Sequence, residues 1–104
     1  MSAPVYEFTA PLWLYGGAAS WYFLTVPFDV TDEIDEITTG KQAGFGSVPV
    51  NVTVGRTTWS TSIFPSKERE SFILPVKAPV RKAEGLAVGT QVQVRLELRL
   101  ELGG

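Results

Sequence analysis

The stretch QVQVRLELRLEL, residues 91–102, has the most regular pattern in the chain. Valine or leucine occupies every second position, and glutamine, arginine or glutamate occupies the positions between them. Alternation with a period of two predicts a β-strand with one face in a core and one in water. A straight strand of this length would extend for roughly 40 Å, which exceeds the width of a small domain. We therefore expect it to bend, to serve two sheets or to project its end.

A hairpin is predicted just before the middle of the chain. Valines at the even positions of Val48–Val54 alternate with polar residues and Pro49, as in a strand with one buried face. Gly55-Arg56 suits a two-residue type II′ turn, which needs glycine at its first position. The return strand is expected over 57–64, and Pro65 is expected to end it because proline cannot donate a ladder hydrogen bond.

Three further strands are shorter or interrupted. Val5–Tyr15 is interpreted as a strand broken at Pro11. Trp21–Val26 is apolar on both faces and predicts a central, doubly covered strand. Phe72–Val76 predicts a short strand interrupted by Pro75.

Two short helices complete the predicted order β-β-α-β-β-β-α-β. Val30, Ile34 and Ile37 form an apolar stripe, with Asp29 or Thr31 as the expected cap and Gly40 as the expected end. The second helix is predicted over Ala78–Glu84 and ends at Gly85. So many short strands favour a mainly β fold, a small closed barrel in a single domain over residues 1–104.

Composition limits the chemistry. The chain has no cysteine and no histidine, 44 % hydrophobic residues and 19 % charged residues. Disulfides and zinc–cysteine sites are excluded, and the usual general base and the commonest metal ligand are missing. We therefore expect no catalysis, no metal and no cofactor. With no basic leader and no apolar run near 20 residues, we also expect a cytoplasmic protein that does not contact a membrane.

Charge is unevenly distributed along the chain. The net charge is −2, but residues 1–40 carry −6 and residues 41–104 carry +4. One interpretation is a solvated acidic helix beside a mixed sheet. The other is a bipolar surface whose C-terminal portion orients an anionic partner.

The candidate ligand site combines basic side chains with a glycine-containing loop. Lys77 and Arg81 are four residues apart and share a face if the second helix begins near Lys77. The loop before Val48 resembles a phosphate-cradling loop, although it lacks the following lysine and helix of that motif. The predicted ligand-binding residues are Lys77, Arg81, Lys82, Arg56, Gly44, Gly46 and Ser47. The alternative is ordinary surface charge and a glycine-permitted strand entry.

The tryptophans are assigned to the core. Trp13, Trp21 and Trp59 could together fill most of a small barrel. Their alternative role is to line a ligand pocket at the barrel mouth.

Four motifs resemble one uncharacterised bacterial domain-of-unknown-function family. They are GFGSVPV at 44–50, TWSTSIFP at 58–65, LPVK at 74–77 and VRKAEG at 80–85. Members of that family occur alone or beside a YdeI/OmpD-associated domain. The resemblance implies a six-stranded double-split β-barrel, similar in fold to the AbrB, MazE and MraZ barrels. It implies no activity and no site residues.

Three functions remain open at this point. The preferred one is a binding or accessory module for a small anionic ligand or a partner protein. The second is nucleic-acid binding by analogy with AbrB-like barrels, against which the pI near 5.0 argues. The third is an enzyme that uses hydroxyls or carboxylates.

The oligomeric state has two predicted forms. An antiparallel pairing of two copies of residues 91–102, centred on Leu98, would place Arg95 opposite Glu101 and Glu97 opposite Arg99. The alternative is a monomer in which both edges of this strand are paired inside the barrel.

Overall fold

Six strands and two helices make up the part of the chain that the computed structural model describes, residues 3–16, 20–39 and 46–99. In chain order they are β1 (Val5–Gly16), β2 (Ser20–Thr25), α1 (Phe28–Thr38), β3 (Val48–Val54), β4 (Thr57–Ser66), β5 (Ser71–Pro75), α2 (Ala78–Glu84) and β6 (Gln91–Leu98). The strands close into a barrel in the order β1-β2-β5-β4-β3-β6, and every neighbouring pair is antiparallel. The predicted closed six-stranded barrel with two short helices is confirmed.

Two sheets share the barrel. The first sheet contains β3, β6, the N-terminal part of β1 and most of β4. The second sheet contains β2, β5, the C-terminal part of β1 and the end of β4. Both sheets turn aliphatic side chains inward, so one core of valine, leucine and isoleucine fills the barrel. Two strands, β1 and β4, therefore connect the sheets.

Pro11 and Pro65 lie where strands change partner, and they do not break or end those strands as predicted. Pro11 faces Gln91 of β6, and the next residue, Leu12, faces Leu24 of β2. Leu12 still donates its N–H to the carbonyl of Thr90 at 3.0 Å. Proline is tolerated there because a strand that exchanges one partner for another can do without one ladder donor.

Pro65 behaves in the same way on β4. That strand pairs with β3 as far as Ile63 and with β5 from Phe64 to Ser66. The predicted end at Phe64 was therefore wrong by two residues. In β5, Pro75 is the last strand residue and faces Phe23.

The last strand confirms the alternation on which the fold prediction depends. Val92, Val94, Leu96 and Leu98 are buried, while the residues between them face outward. β1 pairs with Gln91–Glu97 and β3 with Arg95–Leu98. Self-pairing of two copies centred on Leu98 would have to displace β3 from those four residues. The predicted continuation over 100–102 lies outside the described residues.

The prediction that β2 is covered on both faces was wrong. Leu24 and Val26 are fully buried, but Trp21 on the opposite face is 51 % exposed. An apolar outer face was mistaken for a second buried face because the sequence does not show what lies against it.

Helix α1 differs from its prediction at its N-terminus and in its buried stripe. Its buried stripe is Val30, Ile34 and Thr38, whereas Ile37 is 38 % exposed. Neither predicted cap is used: Pro27 is at the N-cap position and makes no side-chain cap hydrogen bond. Gly40, the predicted end, lies outside the described residues.

Thr31 instead joins α1 to the barrel. Its hydroxyl donates to the carbonyl of Val26 and accepts the N–H of Phe72, both at 3.2 Å. These bonds fix α1 beside the C-terminal end of β2 and the N-terminal end of β5.

Helix α2 lies at the other ends of β2 and β5 and matches its prediction from Ala78 to Glu84. Gly85 ends it with φ +63° and donates its N–H to the carbonyl of Arg81. The carboxylate of Glu84 accepts the Thr57 hydroxyl at 2.6 Å and the Arg56 N–H at 3.3 Å. The β3–β4 turn is thereby attached to the C-terminal end of α2.

Candidate functional site

Aromatic side chains cover the outer face of the second sheet. Trp13 faces Phe23 across the β1–β2 pair, and Tyr15 faces Trp21. Residues two apart on a strand share a face, so these four rings project from the same side. They project away from the core, because Leu12 and Leu24 occupy the inward positions.

The rings are packed against one another. Trp13 and Phe23 have centroids 5.2 Å apart, and Tyr15 meets Phe23 edge-on at 6.5 Å. Trp21 lies nearly parallel to Phe23, with centroids 6.3 Å apart. Such contacts stabilise the arrangement without burying it, since Tyr15 is still 50 % exposed and Trp21 51 % exposed.

Trp13 is held from two sides. Its indole Nε1–H donates to the Thr25 hydroxyl at 2.9 Å. The Arg69 guanidinium lies over the ring, with Cζ 3.9 Å from the centroid, which is a cation–π contact. The ring therefore has a fixed orientation although it lies on the barrel surface.

Together these residues form an open groove of about 580 Å³. We call it the aromatic groove; it is lined by Trp13, Tyr15, Trp21, Phe23 and Phe64, with Ile73, Pro75 and residues 66–68 completing its walls. Its volume falls in the range of small-molecule sites, roughly 300–1,000 Å³. The prediction that the tryptophans fill the core was wrong for Trp13 and Trp21, whereas Trp59 does pack against the core.

A second depression lies beside α2. We call it the basic pocket; it has a volume of about 390 Å³ and is lined by Trp21, Tyr22, Pro75, Val76, Lys77, Ala78 and Arg81. Two of these residues are cations and none is a carboxylate, within the described part of the chain. The positive charge of this lining therefore favours an anionic ligand over a cationic one.

Arg81 is a positioned side chain rather than a mobile surface arginine. Its Nη1 donates to the carbonyl of Val76 at 2.6 Å, and its Cζ lies 3.7 Å from the centroid of the Tyr22 ring. Guanidinium carries five N–H donors, so this bond leaves others for a ligand. Lys77, at the N-cap position of α2, is exposed beside it.

The remaining predicted site residues lie elsewhere. Lys82 is exposed on α2 but does not line the basic pocket. Arg56 lies in the β3–β4 turn at the C-terminal end of α2, whereas the Arg81 side chain reaches back to Val76 before its N-terminal end. Of the predicted residues that the structure describes, only Lys77 and Arg81 line the basic pocket.

The described end of the glycine-containing loop is separated from Arg56 by the length of β3. Gly46, with φ +75°, and Ser47 precede β3, whose other end joins the turn that contains Arg56. Seven strand residues at about 3.3 Å each place that loop roughly 20 Å from the turn. Gly44 lies outside the described residues.

Neither a metal-ion cluster nor a membrane-spanning helix occurs among the described residues. The acidic side chains of α1 do not gather into a group of three or more that could hold a metal ion, nor do other described acidic residues. Neither helix in residues 3–16, 20–39 and 46–99 has the length and apolar character needed to cross a bilayer.

Sequence reasoning missed the aromatic groove, although a signal for it existed. Trp13 and Tyr15 share one parity on β1, and Trp21 and Phe23 share one parity on β2. Leu12 and Leu24 lie at the alternate positions of the same strands, and these aliphatic side chains can face the core. The aromatic residues were then left for the outer face.

Comparison with known families supports the earlier resemblance. A family model described as a domain of unknown function, DUF1905, matches residues 8–96. The chain belongs to the DUF1905 family. The matched part of this DUF1905 domain includes every residue that lines the aromatic groove and the basic pocket. The family's description assigns no activity to either, and no curated protein matches the chain significantly in sequence.

Proposed function

We propose that this DUF1905 domain is a binding module for a small anionic ligand, which it holds at Lys77 and Arg81 in the basic pocket. The observation that carries the proposal is the double fixation of Arg81, by the Val76 carbonyl at 2.6 Å and by the Tyr22 ring at 3.7 Å. A surface arginine without a role would rarely be held in two ways, because ordering its side chain costs entropy.

Charge supports an anion over a cation. The pocket contains the cations Lys77 and Arg81 in a chain whose net charge is −2. A local positive site on an acidic protein selects anions by short-range contacts, since long-range attraction is weak and screened by salt. Charge-assisted hydrogen bonds from a guanidinium are about twice as strong as neutral ones.

The alternative is a purely structural arginine that closes the space between α2 and β2. That alternative predicts a loss of stability when Arg81 is changed, but no anion-dependent effect. A binding test with matched variants separates the two roles.

We would follow inorganic phosphate and acetate binding by ¹H–¹⁵N NMR and by thermal shift at constant ionic strength. We expect the amide signals of Lys77 and Ala78 to move on titration. Lys77→Ala should weaken binding by about ten- to a hundredfold, because it removes a charge-assisted contact of roughly 1.5–3 kcal/mol. Arg81→Lys keeps the charge and tests the geometry of the guanidinium.

Lys82→Ala is the matched control. It removes the same charge from the same helix, but Lys82 does not line the pocket. Equal weakening by Lys77→Ala and Lys82→Ala would indicate non-specific attraction and contradict the proposal. Absence of binding by either anion at millimolar concentration would also contradict it.

A further inference from the structure

We infer that the ligand is a planar aromatic anion, with its ring in the aromatic groove and its anionic group at Lys77 and Arg81. This inference rests on the proposed function, because the same two cations would bind the anionic group. Its own basis is that the aromatic groove and the basic pocket meet: Trp21 and Pro75 line both.

The groove selects a flat apolar group. Trp21 is 51 % exposed and is held nearly parallel to Phe23, at an angle of 11°. Exposed, oriented rings gain most from a partner that stacks or meets them edge-on, which a planar ring does better than an aliphatic chain. The combined volumes leave room for a bicyclic ring with a phosphate or carboxylate attached.

Cationic side chains lie at both the aromatic groove and the basic pocket. Lys67 lines the groove, Arg69 covers Trp13 at 3.9 Å, and Lys77 and Arg81 line the basic pocket. Among the described residues that line the aromatic groove and the basic pocket, Glu68 is the single acidic one. The charge therefore complements an anion on an otherwise acidic protein.

The same charges disfavour a second copy of the chain as the occupant. A two-fold interface brings the same patch of each copy together, so the cations around the aromatic groove would face their counterparts. Like charges opposed at an interface lower affinity and specificity. A small anion satisfies both the rings and the cations.

The site is largely preformed. Trp13 is fixed by its hydrogen bond to Thr25, and Arg81 by the Val76 carbonyl. Groups that are already ordered lose little entropy on binding, which favours affinity for a small ligand.

The test compares four probes by calorimetry: 2-naphthyl phosphate, cyclohexyl phosphate, inorganic phosphate and 2-naphthol. We expect 2-naphthyl phosphate to bind about tenfold more tightly than either phosphate without an aromatic ring, as one stacked ring contributes. Tyr15→Ala, at a residue that lines the aromatic groove but not the basic pocket, should reduce that advantage and leave inorganic phosphate binding unchanged. Lys77→Ala should weaken all three phosphates.

The indole N–H signals give a second readout. The chain has three tryptophans, and 2-naphthyl phosphate should shift the Trp21 signal while the Trp59 signal stays in place. Trp59 serves as the control because it lines neither the aromatic groove nor the basic pocket.

The outcomes separate the two proposals. Equal affinity for 2-naphthyl phosphate and inorganic phosphate, both lost in Lys77→Ala, would overturn the aromatic inference and leave the anion site standing. Equal affinity for 2-naphthol and 2-naphthyl phosphate would overturn the anion site. A ligand-free dimer that Trp21→Ala dissociates would show that a second copy occupies the groove and would also overturn the inference.

Discussion

The two sheets of the barrel are alike inside and different outside. Inside, each presents valine, leucine and isoleucine to a common core. Outside, the first sheet carries polar residues such as Asn51 and Glu97, whereas the second carries the rings of the aromatic groove. The inner faces hold the barrel together, and the outer face of the second sheet leaves apolar rings exposed in the aromatic groove.

The two outer faces also use their side chains differently. On the first sheet, Asn51 donates to Glu97 at 3.2 Å and accepts from the Ser60 hydroxyl at 2.7 Å. These are neighbouring strands, so the network stabilises the sheet that carries it. On the second sheet, Trp21 and Tyr15 are about half exposed, and much of their apolar area is available to a partner.

The largest expected effect tests whether the inner faces are equivalent. Leu96 of the first sheet and Leu74 of the second are both fully buried. Leu96→Ala and Leu74→Ala should each lower the free energy of unfolding by about 2–5 kcal/mol through lost burial and the cavity left behind. Urea denaturation measures both. A difference of more than a factor of two would show that one sheet dominates the core.

The next effect concerns the turn that attaches the first sheet to α2. Gly55 has φ +58°, and a Cβ at this position would collide with the Glu84 carboxylate. Because the Glu84 carboxylate would have to move and give up its bonds to Thr57 and Arg56, Gly55→Ala should lower the free energy of unfolding by more than the roughly 1–2 kcal/mol that the left-handed backbone alone costs. The midpoint of urea unfolding gives the value.

Gly85→Ala is the matched control for that turn. Gly85 has a similar φ of +63°, but an added Cβ would meet nothing within 4 Å. Gly55→Ala should be the more destabilising of the two. If the two variants prove equal, the Glu84 contact contributes nothing to the stability of the turn.

The outer faces should respond differently to truncation. Asn51→Ala breaks a side-chain network and should lower the free energy of unfolding by about 0.5–1.5 kcal/mol. Trp21→Ala removes an exposed ring and should lower it by less than about 1 kcal/mol, although the ring is much larger. Chemical denaturation of the two variants tests whether the outer face of the first sheet contributes more to stability than the outer face of the second. Severe destabilisation by Trp21→Ala would make Trp21 a structural residue.

The smallest effect is a pH dependence in the first sheet. Burial, and secondarily the charge of Glu33, raise the pKa of the Tyr6 phenol above its ordinary value near 10. Folding therefore favours the protonated phenol. Its stabilising contribution is complete below pH 10 and is lost as the pH rises through the raised pKa.

Unfolding midpoints measured between about pH 8 and pH 11.5 would test this shift. This range spans the pKa of about 10 that tyrosine has in the unfolded chain. The wild type should lose stability more steeply above pH 10 than Tyr6→Phe does. Glu33→Gln should reduce the difference, because it removes the secondary cause. Parallel curves for the wild type and Tyr6→Phe would contradict the assignment.

The first sheet could be predicted from sequence because its rules are local. Val48–Val54 and Gln91–Leu98 alternate strictly, and that period alone fixes which side chains turn inward. Helix α2 was equally accessible, since Gly85 adopts the left-handed conformation that ends a helix. Lys77 and Arg81 were identified from their spacing on that helix.

The second sheet could not be predicted in the same way. Pro11 and Pro65 indicated strand ends, but they mark exchanges of partner that depend on where β6 and β3 stop. Which side of Trp21–Val26 faces solvent depends on the neighbours of β2, since both sides of that segment are apolar. The sequence also does not show that the length of β3 separates Gly46 and Ser47 from Arg56.

The sequence alone determined a small β-barrel and the inward faces of β3 and β6, because alternation and glycine turns act over a few residues. Tertiary structure decided which apolar residues remain on the surface. It brought Trp13, Trp21 and Phe64 from three strands to one face and placed α2 beside them. Contacts between residues far apart in the chain are set by strand pairing and barrel closure, which no local pattern encodes.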